Sequence, residues 1–173
     1  MAAARRLGRA DGSSGAVPVK QPNSAFCFVC GLDNPVGLKL AFYETGPDEV
    51  TALWTPGREY EGFPGVLHGG IVASILDEAG GRVVMIGDHT HFMMTATLDV
   101  KYRRRTPIGQ PLRVIGRLLK RRRRLAFVHA EIQLADGSVT AEAESTLADL
   151  PDSMRVPGDL EALGWKVYAD HEA

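Results

Sequence analysis

The pattern of apolar and polar positions predicts one long buried helix near the middle of the chain. From about Gly70 to Ile86, apolar residues surround the predicted helix almost completely. A helix that is apolar nearly all round is buried in a core. The polar or bare positions form one narrow stripe: Ser74, Asp77, Glu78, Gly81 and Arg82. A carboxylate such as Asp77 in this setting needs either a partner or a function.

Strand patterns flank this helix on both sides. Residues 38–45 and 50–54 predict a hairpin around a Gly-Pro-Asp turn, and residues 55–67 predict the loop that leads into the helix. After the helix the apolar positions alternate, which predicts strands over 95–102, 112–119, 126–134 and 139–149. Residues 120–124 predict a basic turn, and Asp136-Gly137 predicts a tight hairpin turn. One buried helix followed by antiparallel strands is an α+β layout, with the sheet wrapped on the helix.

The length of 173 residues and the 45% hydrophobic content fit one folded domain. We expect a disordered leader over residues 1–22, the domain over 23–150 and a tail over 151–173. In the tail, Asp159 predicts the cap of a short helix that Gly164 ends. Trp165 and Tyr168 would dock this tail on the body or on a partner subunit.

The net charge of −1 provides no overall field that would recruit nucleic acid or a membrane surface. No apolar run reaches the roughly 20 residues that a membrane span needs. Nothing near the start of the sequence resembles a secretory signal. We therefore expect a cytoplasmic protein without nucleic-acid or membrane partners.

The start of the predicted helix combines features that suit the binding of an oxyanion. A Pro/Gly-rich loop from Tyr60 to Leu67 leads through His68 into Gly69 and Gly70. The first N–H groups of a helix have no internal partner, and the macrodipole makes that end partly positive. Such donors can stabilise a carbonyl oxygen on which negative charge develops. Asp77 lies about two turns further along, on roughly the same side; the alternative is that Asp77 pairs with Arg82 or a neighbouring strand.

The pattern His68-Gly69-Gly70, six residues and then Asp77 resembles the hotdog-fold acyl-coenzyme A thioesterases of the PaaI type. The preceding segment, Tyr60 to Gly65, is most similar to the branch that has Gln-Gly-Pro-Pro-Gly there. The resemblance covers roughly residues 26–150. It implies a hotdog fold, in which an antiparallel sheet wraps around one long helix.

The resemblance also implies a mechanism for thioester hydrolysis. The Gly69 N–H would polarise the thioester carbonyl, and Asp77 would act as general base or nucleophile. These two groups would come from opposite subunits of a homodimer or homotetramer. The substrate would be an acyl-CoA, and no metal or redox cofactor is expected.

Further site residues follow from the same resemblance. Glu61 stands where the closest branch has Gln, seven residues before His68, and other branches place Asn or Gln at the position of Gly62. Thr95 stands where relatives often carry a Ser or Thr that orients the water or the acid. His68 and Gly70 are predicted to position the substrate. The alternatives are that Glu61 is simply a loop acid and that Thr95 is an ordinary exposed strand residue.

Two basic clusters, Arg103–Arg105 and Lys120–Arg124, suit the phosphates of coenzyme A. We single out Arg103, Arg104 and Arg122 as substrate-binding candidates. The alternative is a solvated strand end and hairpin turn. A nucleic-acid footprint is disfavoured because no aromatic residues interleave with the arginines.

Three further features have ordinary structural interpretations. Cys27 and Cys30 form a CxxC pair, but no second pair completes a zinc site and the segment does not resemble a redox helix. His89 and His91 lack a third ligand in the sequence. Glu78 lies about 100° around the helix from Asp77 and is expected to pair with Arg82.

Other functions remain open from the sequence. A non-catalytic acyl-CoA-binding or regulatory dimer would keep the same fold. A hotdog dehydratase or hydratase would need a His directly before Phe63-Pro64-Gly65, where this chain has Gly62. A Ser-His-Asp hydrolase is disfavoured because the Gly-x-Ser-x-Gly elbow is absent from the sequence.

Overall fold

The computed structural model describes residues 17–154 and 158–169. Its regular elements are β1 (Val19–Lys20), β2 (Tyr43–Gly46), β3 (Glu49–Trp54), β4 (Glu61–Phe63), β5 (Val66–Leu67), α1 (Gly69–Val83), β6 (Met93–Tyr102), β7 (Leu112–Arg122), β8 (Leu125–Gln133) and β9 (Val139–Asp149). Short 3-10 turns cover Arg58–Tyr60 and Asp152–Met154. Among the described residues, no helix has both the length and the apolar character that crossing a membrane requires.

Seven strands form one antiparallel sheet in the order β1-β2-β3-β7-β8-β9-β6, and β4 and β5 pair separately. Helix α1 packs against this sheet, and its buried face meets apolar residues of β3, β7, β8 and β9. The core is therefore a single layer between one helix and one sheet. This arrangement confirms the predicted α+β class with a sheet wrapped on a helix.

Helix and sheet approach closely at two glycines. A Cβ placed on Gly116 in β7 would lie 2.5 Å from the carbonyl oxygen of Ala79, and one on Gly80 would lie 2.9 Å from Cγ2 of Val128. Any larger residue at either position would push the helix off the sheet. Of the neighbouring glycines Gly80 and Gly81, only Gly80 is needed for this close packing, because a Cβ on Gly81 would meet no atom within 4 Å.

The first predicted strand, over 38–45, begins too early. Lys39 has a left-handed backbone with φ of 59°, which interrupts a strand ladder. Residues 38–42 instead run as a buried segment whose N–H groups at Leu38 and Leu40 donate to the carbonyl oxygens of Phe28 and Val29. The regular strand begins only at Tyr43.

Three other boundaries differ from the sequence expectation. The predicted loop over 55–67 contains the hairpin of β4 and β5. The predicted basic turn over 120–124 is shorter, because β7 continues to Arg122 and only Arg123, with φ of 50°, and Arg124 make the turn. The helix ends at Val83 rather than Ile86.

Both ends of the described chain pack on the body. Residues Val19–Lys20 pair with β2, so this part of the predicted disordered leader over 1–22 is a strand; residues 1–16 lie outside the described residues. In the tail, the Asp159 side chain accepts the Glu161 N–H at 2.9 Å, as predicted for a cap, but only turns follow. Trp165 docks on the same chain, because its Nε1 donates to the His89 carbonyl at 2.8 Å.

Candidate active site

The first turn of α1 is organised by His68. Its Nδ1 accepts the N–H of Gly70 at 3.0 Å, and its carbonyl accepts the N–H groups of Ile71 and Val72. This is the N-cap arrangement that satisfies the open donors of a helix start. The N–H of Gly69 has no hydrogen-bond partner in the part of the chain that the structure describes. Of the two glycines predicted to meet a substrate, only Gly69 keeps an uncommitted donor.

Tyr102, the last residue of β6, contacts the start of the helix at Gly69. Its hydroxyl donates to the Gly69 carbonyl oxygen at 2.8 Å. A Cβ added to Gly69 would lie 3.6 Å from the Tyr102 ring, an ordinary contact. The sequence shows a tyrosine at the end of a predicted strand. Hydrophobic periodicity alone does not show which atom its hydroxyl contacts.

Asp77 and Thr95 meet between the helix and the sheet. The Thr95 hydroxyl on β6 donates to Oδ1 of Asp77 at 2.7 Å, and both residues are half-buried. The second carboxylate oxygen has no hydrogen-bond partner among the described residues. Arg82 does not pair with Asp77, because its guanidinium is bound to Glu78. The structural alternatives for Asp77 were a pair with Arg82 or a contact with a neighbouring strand, and the structure shows the strand contact only.

Asp77 and Gly69 lie apart within one chain. Eight residues of helix separate them, which at about 1.5 Å per residue is about 12 Å along the axis. A thioester carbonyl spans little more than one bond, so both groups of a single chain cannot contact it together.

Glu61 is committed within its own loop. Its Oε1 accepts the N–H of Gly65, and its Oε2 lies 3.8 Å from Nε of Arg58. The neighbouring Gly62 packs on the helix cap, because a Cβ there would lie 3.0 Å from Cα of His68. Glu61 thus has local partners in its loop, and its assistance to Asp77 stays a prediction; at Gly62 the close approach to His68 leaves little space for an amide side chain.

The two basic clusters lie at opposite ends of the sheet. The N–H of Arg103 donates to Thr140 O near the start of β9, whereas Arg122 pairs with Leu125, which faces Ala148 near the end of β9. At about 3.3 Å per strand residue, the two ends are separated by about 26 Å. Arg103 and Arg104 follow Tyr102 and are therefore close to Gly69; the structure does not bring Arg122 to them.

Glu78 and Arg82 form the predicted pair on the other side of the helix. Oε1 of Glu78 lies 2.9 Å from both Nε and Nη2 of Arg82. Arg82 is only 1% exposed. Its guanidinium donates to the Pro22 carbonyl and stacks 4.9 Å from the Trp165 ring, while Gln21 donates to its carbonyl. This pair joins the helix to the N-terminal segment and the tail.

The structure also brings Glu78 to the CxxC pair. The ligand atoms of Cys27, Cys30 and Glu78 lie within 4.8 Å of one another, and they form the one cluster of metal-ligating side chains found in the described residues. A hydrogen bond from Cys30 lowers the pKa of Cys27 to about 7, whereas that same bond together with burial raises the pKa of Cys30. His89 and His91 have different acidic partners: Nε2 of His89 lies 2.7 Å from Glu44, and Nε2 of His91 lies 3.1 Å from Asp149.

Comparison with known proteins shows what this arrangement is similar to. Residues 64–141 match the family model described as the thioesterase superfamily. The acyl-coenzyme A thioesterase THEM4 of Rattus norvegicus is 30% identical over 118 residues, which are 68% of this chain and 50% of that protein. The chain spans about half the length of the curated thioesterase relatives of this type that it matches.

Solved structures share the fold. The crystal structure of RHA08564, a thioesterase superfamily protein, superposes with a TM-score of 0.65 and 30% identity, over 70% of this chain and 59% of that one. A hypothetical thioesterase protein from Streptococcus pneumoniae TIGR4, solved with coenzyme A, superposes with a TM-score of 0.55 and 18% identity, over 59% of this chain and 81% of that one. These matches confirm the hotdog fold.

Proposed function

We propose that this chain, which has the hotdog fold and matches the thioesterase superfamily over residues 64–141, hydrolyses an acyl-CoA to the free acid and coenzyme A. The relatives named acyl-coenzyme A thioesterase support this reaction. The similarity of the helix start to the PaaI type supports the assignment to that branch.

The observation that carries the proposal is the pairing of Asp77 with Thr95. The Thr95 hydroxyl fixes one carboxylate oxygen at 2.7 Å and leaves the other without a partner in the described residues. An oriented, half-buried carboxylate with one uncommitted oxygen can accept a proton from water or attack the thioester carbon. Asp77 is therefore the proposed general base or nucleophile, and Thr95 orients it.

The Gly69 N–H is the proposed oxyanion donor. His68 occupies the Gly70 N–H. The His68 carbonyl lies in the same peptide plane as the Gly69 N–H and accepts the N–H groups of Ile71 and Val72, so the remaining donor at the positive end of the helix has a fixed direction. Such a donor stabilises charge that develops only in the transition state; its removal costs on the order of 3 kcal/mol of barrier. His68 and Gly70 thus act by positioning.

We propose that each active site is shared by two subunits. About 12 Å of helix separates Asp77 from Gly69 within one chain, so a second copy must supply one of the two groups. Strand β6 lies at the edge of the sheet over ten residues and exposes Met94 and Tyr102. An edge of this length is a template for pairing with another chain. A homodimer, alone or doubled into a homotetramer, would provide both the Asp77 carboxylate and the Gly69 N–H at each site.

The coenzyme A moiety would lie near the start of the helix. Arg103 and Arg104 follow Tyr102 at this end, where guanidinium groups can bind phosphate. The related S. pneumoniae protein was solved with coenzyme A, which supports this ligand class. Because the separation of the clusters is about 26 Å, Arg122 would reach such a ligand only from the other subunit. The predicted location remains the cytoplasm.

The test is release of free thiol from a panel of short, long and aromatic acyl-CoAs by wild type and Asp77→Ala. The proposal expects turnover on at least one ester and loss of that turnover in the variant, with the oligomeric state unchanged by sedimentation. Saturable CoA-ester binding without turnover by either protein would instead establish a binding or regulatory dimer. Turnover that survives in Asp77→Ala would contradict the assigned base.

A further inference from the structure

The segment that holds Cys27 and Cys30 is folded into a tight turn around one sulfur. Sγ of Cys27 accepts the N–H of Val29 at 3.3 Å and the N–H of Cys30 at 3.4 Å. The turn closes through the Gly31 N–H, which donates to the Cys27 carbonyl at 2.9 Å. Backbone N–H groups that point at a sulfur favour its thiolate form over its thiol form.

Glycine is required where this turn closes. A Cβ on Gly31 would lie 2.3 Å from the carbonyl oxygen of Cys27, a distance that no real side chain reaches. The Asn23 amide donates to the carbonyl oxygens of Cys30 at 2.6 Å and Leu40 at 3.0 Å, which fixes the turn to the core. The two sulfurs are therefore held in place by the backbone and not by their own contact alone.

The two thiols differ in the way that an attacking and a resolving cysteine differ. Cys27 is half-buried, whereas Cys30 is only 1% exposed. The hydrogen bond from Cys30 lowers the pKa of Cys27, and that bond and burial raise the pKa of Cys30. Cys27 is thus the more reactive sulfur at neutral pH, and Cys30 is the more deeply buried of the two.

A metal ion fits this cluster less well than a disulfide does. The charged groups that face the sulfurs are Glu78, whose Oε2 lies 3.6 Å from Sγ of Cys27, and Arg82, which is bound to Oε1 of the same carboxylate. A structural zinc site has four ligands, and the described residues offer three here. One of these three is already paired with a buried guanidinium, whose charge repels a cation.

We propose that Cys27 and Cys30 form a thiol–disulfide exchange site that a small organic disulfide oxidises to an intramolecular Cys27–Cys30 bond. The Cys27 thiolate attacks one sulfur of the small disulfide, forms a mixed disulfide and releases one small thiol. Cys30 then attacks Sγ of Cys27, closes the protein disulfide and releases the second small thiol. The protein thiols lose two electrons and two protons, and the small disulfide gains them.

The position of the pair links its redox state to the catalytic helix. In the dithiol, the Cys27 thiol donates to Glu78, which also binds Arg82 in the same turn of α1 that follows Asp77. A disulfide removes that donor because Cys27 no longer carries a proton. The site itself is independent of the proposed hydrolysis, so it can be tested without any thioester.

The experiment treats reduced, desalted full-length protein with oxidised glutathione at neutral pH, followed by intact mass and thiol counting. Wild type is expected to lose both thiols and two hydrogen atoms of mass, and to retain no glutathione. Cys30→Ser is expected to stop at one bound glutathione, whereas Cys27→Ser is expected to stay unmodified. Circular dichroism checks that both variants fold, and peptide mapping of partly alkylated wild type identifies the faster thiol without any variant.

Three results would overturn the proposal. The first is equal modification of the two single-cysteine variants, with equal alkylation of both cysteines in wild type. The second is wild type that reacts only after denaturation. The third is purified protein that carries one zinc ion per chain and exposes its thiols only to a chelator, which would make the cluster a metal site.

Discussion

Asp77 and Glu78 are adjacent in the chain, yet they face different regions of the molecule. Asp77 turns to β6, where the Thr95 hydroxyl is the hydrogen-bond partner of one of its oxygens. Glu78 turns to the N-terminal segment, where Cys27 contacts one of its oxygens, and Arg82 of the same helix binds the other. A step of about 100° around the helix creates this difference. The Glu78 side of the helix joins α1 to the N-terminal segment and to the tail. On the Asp77 side, one carboxylate oxygen has no partner among the described residues and can contact a substrate or water.

The comparison shows how a structural acid can be told from a candidate catalytic one on the same helix. Arg82 is buried among Gln21, Pro22 and Trp165, and its charge then requires Glu78 as a partner. Among the described residues, Asp77 has no such cation as an ion-pair partner.

The largest effect is expected for Asp77→Asn, which keeps the shape and the Thr95 contact but removes the base. General-base catalysis contributes about 10²–10⁴-fold, so we expect kcat for the preferred acyl-CoA to fall by about 10³. Glu78→Gln is the matched control on the neighbouring position, and its kcat should stay close to that of wild type. Thiol-release kinetics on both variants check this; an equal loss of kcat in the two would remove the distinction.

A smaller effect, on stability instead of rate, is expected at Arg82. Replacing it by Met leaves Glu78 without its cation and the Pro22 carbonyl without its donor, and breaking a buried pair costs about 3–5 kcal/mol. Urea denaturation should therefore show a free energy of unfolding lower by about 3 kcal/mol. The exposed Arg122→Met serves as control. An equal free energy of unfolding in both variants would mean that the Glu78–Arg82 pair does not stabilise the fold.

The smallest effect is expected at Thr95. Thr95→Val keeps the shape but removes the donor to Asp77, whereas Thr95→Ser keeps the hydroxyl. A hydrogen bond to a charged group contributes about 1.5–3 kcal/mol, so kcat should fall about tenfold in Val. Ser should retain most of the rate. If Ser loses rate and Val retains it, packing of the methyl group and not orientation of Asp77 is the role of Thr95.

Much of the fold could be predicted because its signals are periodic. The apolar helix and the alternating strands after residue 95 gave the α+β class, and β9 over Val139–Asp149 lies as predicted. Failures arose where one backbone angle or one distant contact decides the structure. Lys39 interrupts a strand by its left-handed φ, and no pattern of apolar residues encodes that.

The candidate site was predictable only in its local part. The Glu78–Arg82 pair followed from helix spacing alone. The Thr95–Asp77 and Tyr102–Gly69 bonds join residues 18 and 33 positions apart, so they depend on how β6 crosses the helix. The burial of Arg82 depends on chain ends that show no strong pattern. The contact of Glu61 with the Gly65 N–H depends on the turn that its own loop makes, which the sequence pattern does not specify.

The second proposed catalytic group allows a sharp substitution. Gly69 is the first residue of α1, where proline is tolerated, and His68 before it has the extended φ of −60° and ψ of 134° that proline requires. Gly69→Pro therefore removes the N–H donor with little strain. Gly69→Ala keeps the donor and meets Tyr102 at an ordinary 3.6 Å, so it is the matched control.

Complementation between Asp77→Asn and Gly69→Pro tests whether each active site takes groups from two subunits. Each variant alone should be nearly inactive. When equal amounts are unfolded and refolded together, half of the dimers are mixed, and each mixed dimer has one intact site out of two. A symmetric dimer with shared sites is therefore expected to recover about a quarter of the wild-type rate. A mixture no more active than its separate components, with mixed dimers shown to form, would contradict a site shared between subunits.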